Sequence, residues 1–464
     1  MHSDVEHLRR KSLQLCSSIA ARFDEIESAD YPLASPKELI VLFSQILSAI
    51  EKKIRIVSSV NELVVAQRLL EFYSSLFQFF DGANIERTPR ALVKTIEFLI
   101  KVISSDATVL PSPIHEYNYS IVEIGGPILK AVEHFIPDIQ KDFPFKGPVN
   151  CISFPYVERD NILMHTVLGH EIGHPIADEF LDDDEESQAF KSKQENTVEE
   201  IRALVDNNSP EKPLFAFQQQ QVCLTRVLKI RRRALEEIIS DCVSVMLYGP
   251  SAMFAMNDLL SNDLDSPPAP PRFYPPSRMR LRYIYKIMCD KKYVDTIMAM
   301  VDKGSTVSLC IESTKEFLSH IKSITETTDD QSAVEKDALC KIAFEWVILS
   351  MNDALEFLNE RLKSVNYDAV LISNQVPELL MRLGLGIPPN EIGSPDNIQT
   401  VDWRSSMLAG WMYNIAGITV PYDSNENVNA HHHEIINRLT MKSIEYSLLA
   451  NDYQTNTDSK LEET

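Results

Sequence analysis

Glycine is scarce in this 464-residue chain, at 13 residues, and only three residues are tryptophan. Low glycine beside plentiful Leu, Ile, Ala, Glu and Lys predicts a mainly α chain (α+β) with little sheet. The seven cysteines (Cys16, Cys151, Cys223, Cys242, Cys289, Cys310 and Cys340) are odd in number and widely spaced, with no Cys-x-x-Cys pair. That excludes a disulfide framework and reads as reduced thiols in a cytoplasmic protein. No run approaches 18 uninterrupted apolar residues, which argues against a transmembrane helix. The opening segment MHSDVEHLRRKSLQLCSSIAARF has charges throughout and no apolar stretch of the kind a secretory signal needs. Cations are outnumbered, 45 Lys and Arg against 67 Asp and Glu, for a net charge of −22. Phosphate polymers would be repelled, so nucleic acid is not an expected partner, and neither is a membrane. There is no Gly-rich phosphate loop, no Gly-x-Ser-x-Gly elbow and no convincing nucleophilic triad. No repeat of fixed period is visible.

What is present is an ordinary soluble composition, 44% apolar and 24% charged. The length implies two or three domains. Residues 1–140 read as a helical N-terminal region, 141–300 as a middle region with a small sheet, 301–451 as a helical C-terminal region, and 452–464 as a disordered tail. Helix starts are signalled by Ser35-Pro36 and Thr88-Pro89. Phe72, Tyr73, Phe77, Phe79 and Phe80 are expected in the core. The run VNCISF predicts one strand, and the segment NILMHTVLGHEIGH after it a helix capped by Asp160 or Asn161. Pro175 should kink or stop that helix near His174, because proline lacks the N–H and crowds the preceding turn. Residues 178–213 read as an acidic exposed loop with some helix. A long helix follows from about Gln218 to Tyr248, ending at Gly249-Pro250. Arg231, Arg232 and Arg233 within it read as a solvated helix face. A Pro-rich stretch covers 266–277, and a break in the later helices is expected near 386–402.

The residues that carry chemistry are His170-Glu171-Ile172-Gly173-His174. Side chains four apart on a helix share a face, so His170 and His174 can bind one zinc ion together. Glu171 can then reach the open side of the metal as a base. Glu237 and Asp241 are also four apart on the later long helix. Glu237 can close a His₂Glu set, and Asp241 can accept the outer N–H of a ligating histidine. Burying two histidines and two carboxylates on apolar helix faces without a compensating ion would be costly, which favours one zinc per chain over a metal-free polar cluster. Mn²⁺ or Fe²⁺ in place of zinc stays open, although His₂Glu favours zinc. His165 is read as lying on another face, outside the site. His431, His432 and His433 read either as exposed imidazoles at a helix start, the favoured reading, or as one proton donor over the metal.

The pattern His-Glu-x-x-His on one helix and Glu-x-x-x-Asp on a later one resembles the gluzincin metallopeptidases. Glu237-Ile-Ile-Ser-Asp241 is similar to the ligand helix of thermolysin-type members. The likeness covers roughly 149–282 and implies a zincin-like module over 141–300. His170, His174 and Glu237 would be its ligands, Glu171 its catalytic base and Asp241 the orienting partner. A weaker likeness lies in YPPSRMR. Some relatives carry a His-Pro pair there with an Arg six residues on; here Tyr274 and Arg280 hold those places, and both are candidate catalytic groups.

The resulting expectation is a zinc metallopeptidase, with Glu171 as general base and a peptide or protein as substrate. The substrate is expected to pair with an edge strand formed by 149–156. Three alternatives stay open. One is a catalytically silent zinc-stabilised regulatory or interaction protein, for which a regulatory protein partner is conceivable. Another is a zinc hydrolase acting on a non-peptide amide. The last is a site covered by the acidic segment or the C-terminal region until a partner releases it.

Overall fold

A computed structural model describes residues 2–145, 147–208, 213–301, 305–394, 397–418 and 428–462. Part of the acidic insertion, 209–212, and the last two residues of the tail lie outside them. The chain forms two compact units, Met1–Asp160 and Asn161–Thr464. The division falls after Asp160, not near 140 or 300. The strand expected to open the middle region pairs with strands earlier in the chain, and the later helices pack with those that carry His170 and Glu237.

The first unit contains helices α1 (His2–Glu27), α2 (Ser35–Ile56), α3 (Val60–Ser75), α4 (Phe77–Gly82), α5 (Arg90–Ile100), α6 (Gly125–Phe135) and α7 (Ile139–Asp142). Its strands are β1 (Thr108–Ile114), β2 (Ser120–Glu123) and β3 (Val149–Pro155). In α2 the buried residues Leu39, Ile40, Phe43, Ile46, Leu47, Ile50 and Ile54 recur at helical spacing, so one stripe faces the core. Ser59 caps α3 by accepting the Glu62 N–H at 3.5 Å. Phe43 meets Tyr73, Phe80 and Phe145 edge-on at 5.8–5.9 Å, and Phe23 meets Phe77 at 5.0 Å. Tyr73 and Phe80 are fully buried, whereas Phe72, expected in the core, is 39% exposed.

The sheet order is β1-β3-β2, with β1 parallel and β2 antiparallel to β3. The strand VNCISFP is therefore central, and neighbours occupy the hydrogen-bonding groups on both its sides. It cannot be the edge that a substrate joins, which overturns that expectation. The true edge at β1 carries Pro111 and Pro113, which lack donors and blunt strand addition.

The second unit contains α8 (Leu168–Glu186), α9 (Gln188–Asn208), α10 (Pro213–Tyr248), α11 (Pro250–Leu260), α12 (Ser277–Asp290), α13 (Tyr293–Ala299), α14 (Ser305–Glu326), α15 (Asp329–Glu335), α16 (Ala338–Arg361), α17 (Ala369–Gly384), α18 (Trp403–Ala416) and α19 (Val428–Glu462). A hairpin of β4 (Glu391–Ser394) and β5 (Asn397–Thr400) fills the break between α17 and α18. α10 is the axis of this unit, packed by α8, α9, α12 and α16. The insertion read as an exposed loop with some helix is largely helical in its described residues, through α8 and α9, and the tail read as disordered continues α19 to Glu462.

Gly249, at φ +62°, turns the chain between α10 and α11, and Pro250 opens the next helix. All seven cysteines are free. Among the described residues no helix is long and apolar enough to cross a membrane.

Candidate metal centre

The helix that carries His170 begins later than its sequence suggests. Met164–Val167 form a 3₁₀ turn, and α8 starts at Leu168 with no side-chain cap from Asp160 or Asn161. The turn is tied to its surroundings by Thr166, whose hydroxyl donates to the carbonyls of Leu163 (2.9 Å) and Ser251 (3.3 Å). Nor does Pro175 end the helix, which runs on to Glu186. Only the bond to the Glu171 carbonyl is lost. Burial of Ile172, Ile176, Ala177, Phe180 and Leu181 holds the helix together on both sides of that gap.

α8 and α10 approach closely because the seam between them is made of small residues. A Cβ on Gly173 would lie 2.5 Å from the Ser240 Cα, and one on Gly169 would lie 2.8 Å from the Ser244 Oγ. This approach brings the histidines of one helix against the carboxylates of the other. The ligand atoms of His170, His174 and Glu237 all lie within 4.8 Å of one another. His170 and Glu237 are buried and His174 is half-buried. His170 Nε2 is 3.4 Å from Glu237 Oε2, and the two imidazoles meet edge-on at 4.8 Å.

Each imidazole is held from behind. His170 Nδ1 bonds Asp241 Oδ1 at 2.8 Å, the partnership expected from the sequence. His174 Nδ1 lies 3.0 Å from Glu236 Oε1 and 3.4 Å from the Ser240 hydroxyl. Nε2 of each ring is thus the nitrogen left for a metal. Sequence reasoning missed Glu236. The signal was the adjacent pair Glu236-Glu237: consecutive helix positions differ by about 100°, so one carboxylate can ligate while its neighbour reaches around to the other histidine.

Two arginines complete the network. Arg280 is buried, with Nε 2.7 Å from Asp241 Oδ2, one terminal nitrogen 2.7 Å from Asp241 Oδ1 and the other 3.1 Å from Glu237 Oε2. All three of its nitrogens are committed to the carboxylates that hold the site, so it braces the ligands instead of facing a substrate. Arg233 reaches Glu237 Oε1 at 2.6 Å and Glu236 Oε1 at 2.8 Å. Its guanidinium lies 4.7 Å from the ring of Tyr274, which is 38% exposed. The three consecutive arginines are therefore not one solvated face. Arg231 is buried, paired with Asp184 and stacked on Trp346 (4.6 Å) and Phe190 (4.9 Å). Only Arg232 spreads over the surface, onto Asp178, Asp182 and Glu185.

The electrostatics follow from this packing. Burial alone would lower the basicity of His170, but Asp241 and Glu237 more than reverse that, and its pKa rises to about 9. Burial would raise Asp241, yet Arg280 and His170 hold it down at about 2. Glu236 is likewise held at about 2, against its own burial, by His174 and Arg233. Glu237 is held below its ordinary value, against burial, by His170 and the two arginines. Glu171 moves the other way: its burial outweighs the nearby histidines and raises its pKa, which suits a proton acceptor and donor.

The other described histidines lie outside the cluster. His165 is buried in the 3₁₀ turn. His432, expected exposed, is buried beside Tyr413, and burial together with His433 lowers its pKa. His433 bonds Asn414 at 3.2 Å and Asn437 at 3.0 Å. The His431 side chain is outside the described residues. Neither His432 nor His433 joins the ligand group. No family model, curated protein or solved structure matches the chain.

Proposed function

We propose that this chain is a zinc-dependent peptidase of the gluzincin kind, cutting a peptide or flexible protein segment in the cytoplasm. The observation that carries this reading is the convergence of His170, His174 and Glu237 within 4.8 Å, with Glu171 on the same helix. The donor set fits zinc: two imidazoles, each with Nδ1 taken by a carboxylate and Nε2 left to ligate, and one ionised glutamate. A zinc ion held there supplies Lewis acidity and lowers the pKa of water towards ~7.

The protein groups then divide the work. Glu171, made more basic by burial, takes the proton of the attacking water and passes it to the leaving amine. Tyr274 offers a hydroxyl to the developing oxyanion. Arg280 and Arg233 keep Glu237 ionised and fixed, and Asp241 and Glu236 fix the two imidazoles. Free thiols support a reducing compartment.

Elemental analysis of purified protein tests the reading first. About one zinc per chain is expected in the wild type, with loss in Glu237→Ala. A peptide-library digest follows, in which Glu171→Gln should keep its zinc and lose cleavage. No zinc even after reconstitution, or cleavage retained by Glu171→Gln, would sink the proposal.

A further inference from the structure

The central position of β3 leaves the substrate without the strand it was expected to join, and α10 offers another surface. Val222, Arg226, Lys229, Arg233 and Glu237 follow one another at intervals of three or four residues, so they form one stripe along this helix. A groove of about 380 Å³ lies on the stripe, lined by Gln221, Val222, Thr225, Arg226, Lys229 and Phe273. Val222 is 69% exposed. The groove's far wall is the Pro-rich loop. Phe273 lines it at φ +53°, a left-handed conformation that bulky residues adopt only when held there. The next residue, Tyr274, rests on Arg233, which bonds the proposed ligand Glu237. Groove, aromatic pair and metal cluster are therefore consecutive along one helix.

The charge of this strip is the reverse of the molecule's. Lys229 and Arg272 are exposed, and neither forms an ion pair among the described residues. Arg226 is matched by Asp337, and Arg233 by Glu236 and Glu237. Two cations without a carboxylate partner among the described residues, Lys229 in the groove wall and Arg272 next to Phe273 with its guanidinium 5.9 Å from the Tyr274 ring, are complementary to a carboxylate-bearing ligand in a chain of net charge −22.

Resting on the peptidase reading above, we infer that the α10 groove selects an acidic stretch of the substrate polypeptide. An apolar side chain lies against Val222 and Phe273, and Asp or Glu residues face Lys229 and Arg272. The distances set its position. Lys229 is about 12 Å and Val222 about 22 Å from Glu237 along the helix axis. At about 3.3 Å per extended residue, the acidic stretch sits roughly three to seven residues from the bond that is cut.

The test uses the full chain carrying Glu171→Gln, loaded with zinc, and fluorescein-labelled decapeptides that differ only in Glu or Lys at four positions. Anisotropy should show the Glu peptide binding roughly tenfold tighter at low salt, with the preference shrinking as salt screens it. Lys229→Glu together with Arg272→Glu should erase or invert the preference while zinc content stays unchanged. Equal binding of the two peptides would overturn the inference. So would a preference that the double reversal does not move, or equally tight binding of a charge-matched oligonucleotide.

A wild-type digest separates the two claims. Cleavage without acidic enrichment three to seven residues from the cut sites defeats the groove and leaves the peptidase. No cleavage, with the acidic preference intact, defeats the peptidase and leaves the groove.

Discussion

The two units bury different kinds of groups. Among the described residues, the buried polar side chains of the first unit are hydroxyls: Ser12, Thr88, Thr95 and Ser112. Two of them are satisfied by nearby backbone, Thr95 on Ala91 and Leu92 and Thr88 on Gly82. The second unit buries charge: Arg231, Glu237, Asp241, Arg278, Arg280 and Asp330, together with His170. Each of these charges meets an opposite one, such as Asp330 with Arg282 or Asp241 with Arg280. A buried charge costs several kcal/mol to desolvate, and pairing usually only restores the balance. The first unit shows that this chain can build a core without that cost. Glu237, Asp241 and Arg280 converge with His170 on the candidate metal cluster, so their burial is better explained by what they hold than by stability, whereas Arg231, Arg278 and Asp330 pair away from it.

The sharpest way to break this comparison is to remove one large group from each unit. Phe43→Ala should destabilise the first unit by about 3–5 kcal/mol and leave the zinc stoichiometry of the protein unchanged. Asp241→Ala should cost a similar ~3–5 kcal/mol, because Arg280 and His170 lose their partner, and it should also lower zinc occupancy. Chemical denaturation followed beside metal analysis reads both; loss of zinc in Phe43→Ala would erase the distinction.

Glu236→Gln should have a smaller effect. Zinc affinity should fall about 10–100-fold in a competition titration with a chelator, because a neutral amide orients His174 less firmly. Unchanged affinity would remove Glu236 from the site.

The pH dependence sharpens the contrast further. In the metal-free chain, the raised pKa of His170 contributes stability that is fully present below its ordinary 6.5 and lost as pH rises through about 9. A zinc ion bound at the proposed site would have to displace that proton, so its affinity should climb with pH up to about 9, and calorimetry in two buffers at neutral pH should detect the proton released. Asp241 and Glu236 act in the opposite sense. Their depressed values contribute stability above the ordinary 3.8 and 4.5, lost as pH falls through about 2.

The smallest effect is expected at Arg232. Arg232→Ala should change stability by no more than about 1 kcal/mol, as for exposed ion pairs generally. Arg231→Ala, one residue away, should cost several times more, through the loss of a buried pair and its ring contacts. Equal effects would mean that burial does not separate the two.

The mainly helical fold class was readable from composition, and the two pairs that meet in the candidate metal cluster were readable from spacing. Helix geometry makes that possible: residues four apart share a face wherever the helix sits, so His170 with His174, and Glu237 with Asp241, were paired before any packing was known. Other features depended on what each face meets. Arg231, Arg232 and Arg233 are identical in sequence terms, yet steps of about 100° send them to an aromatic sandwich, the surface and the carboxylates of the candidate metal cluster. Glu236 could be joined to His174 only after Gly173 had let α8 and α10 come together. Pro175 was overridden by the burial on both sides of it, and His432 by its packing beside Tyr413.

Whether VNCISFP is an edge or a centre is a property of its neighbours, and only the pairing of β1 and β2 on either side decided it. Periodicity along one element is local and survives in the sequence. The partner that an element faces is set by contacts between residues far apart in the chain, and only the tertiary structure brings those together.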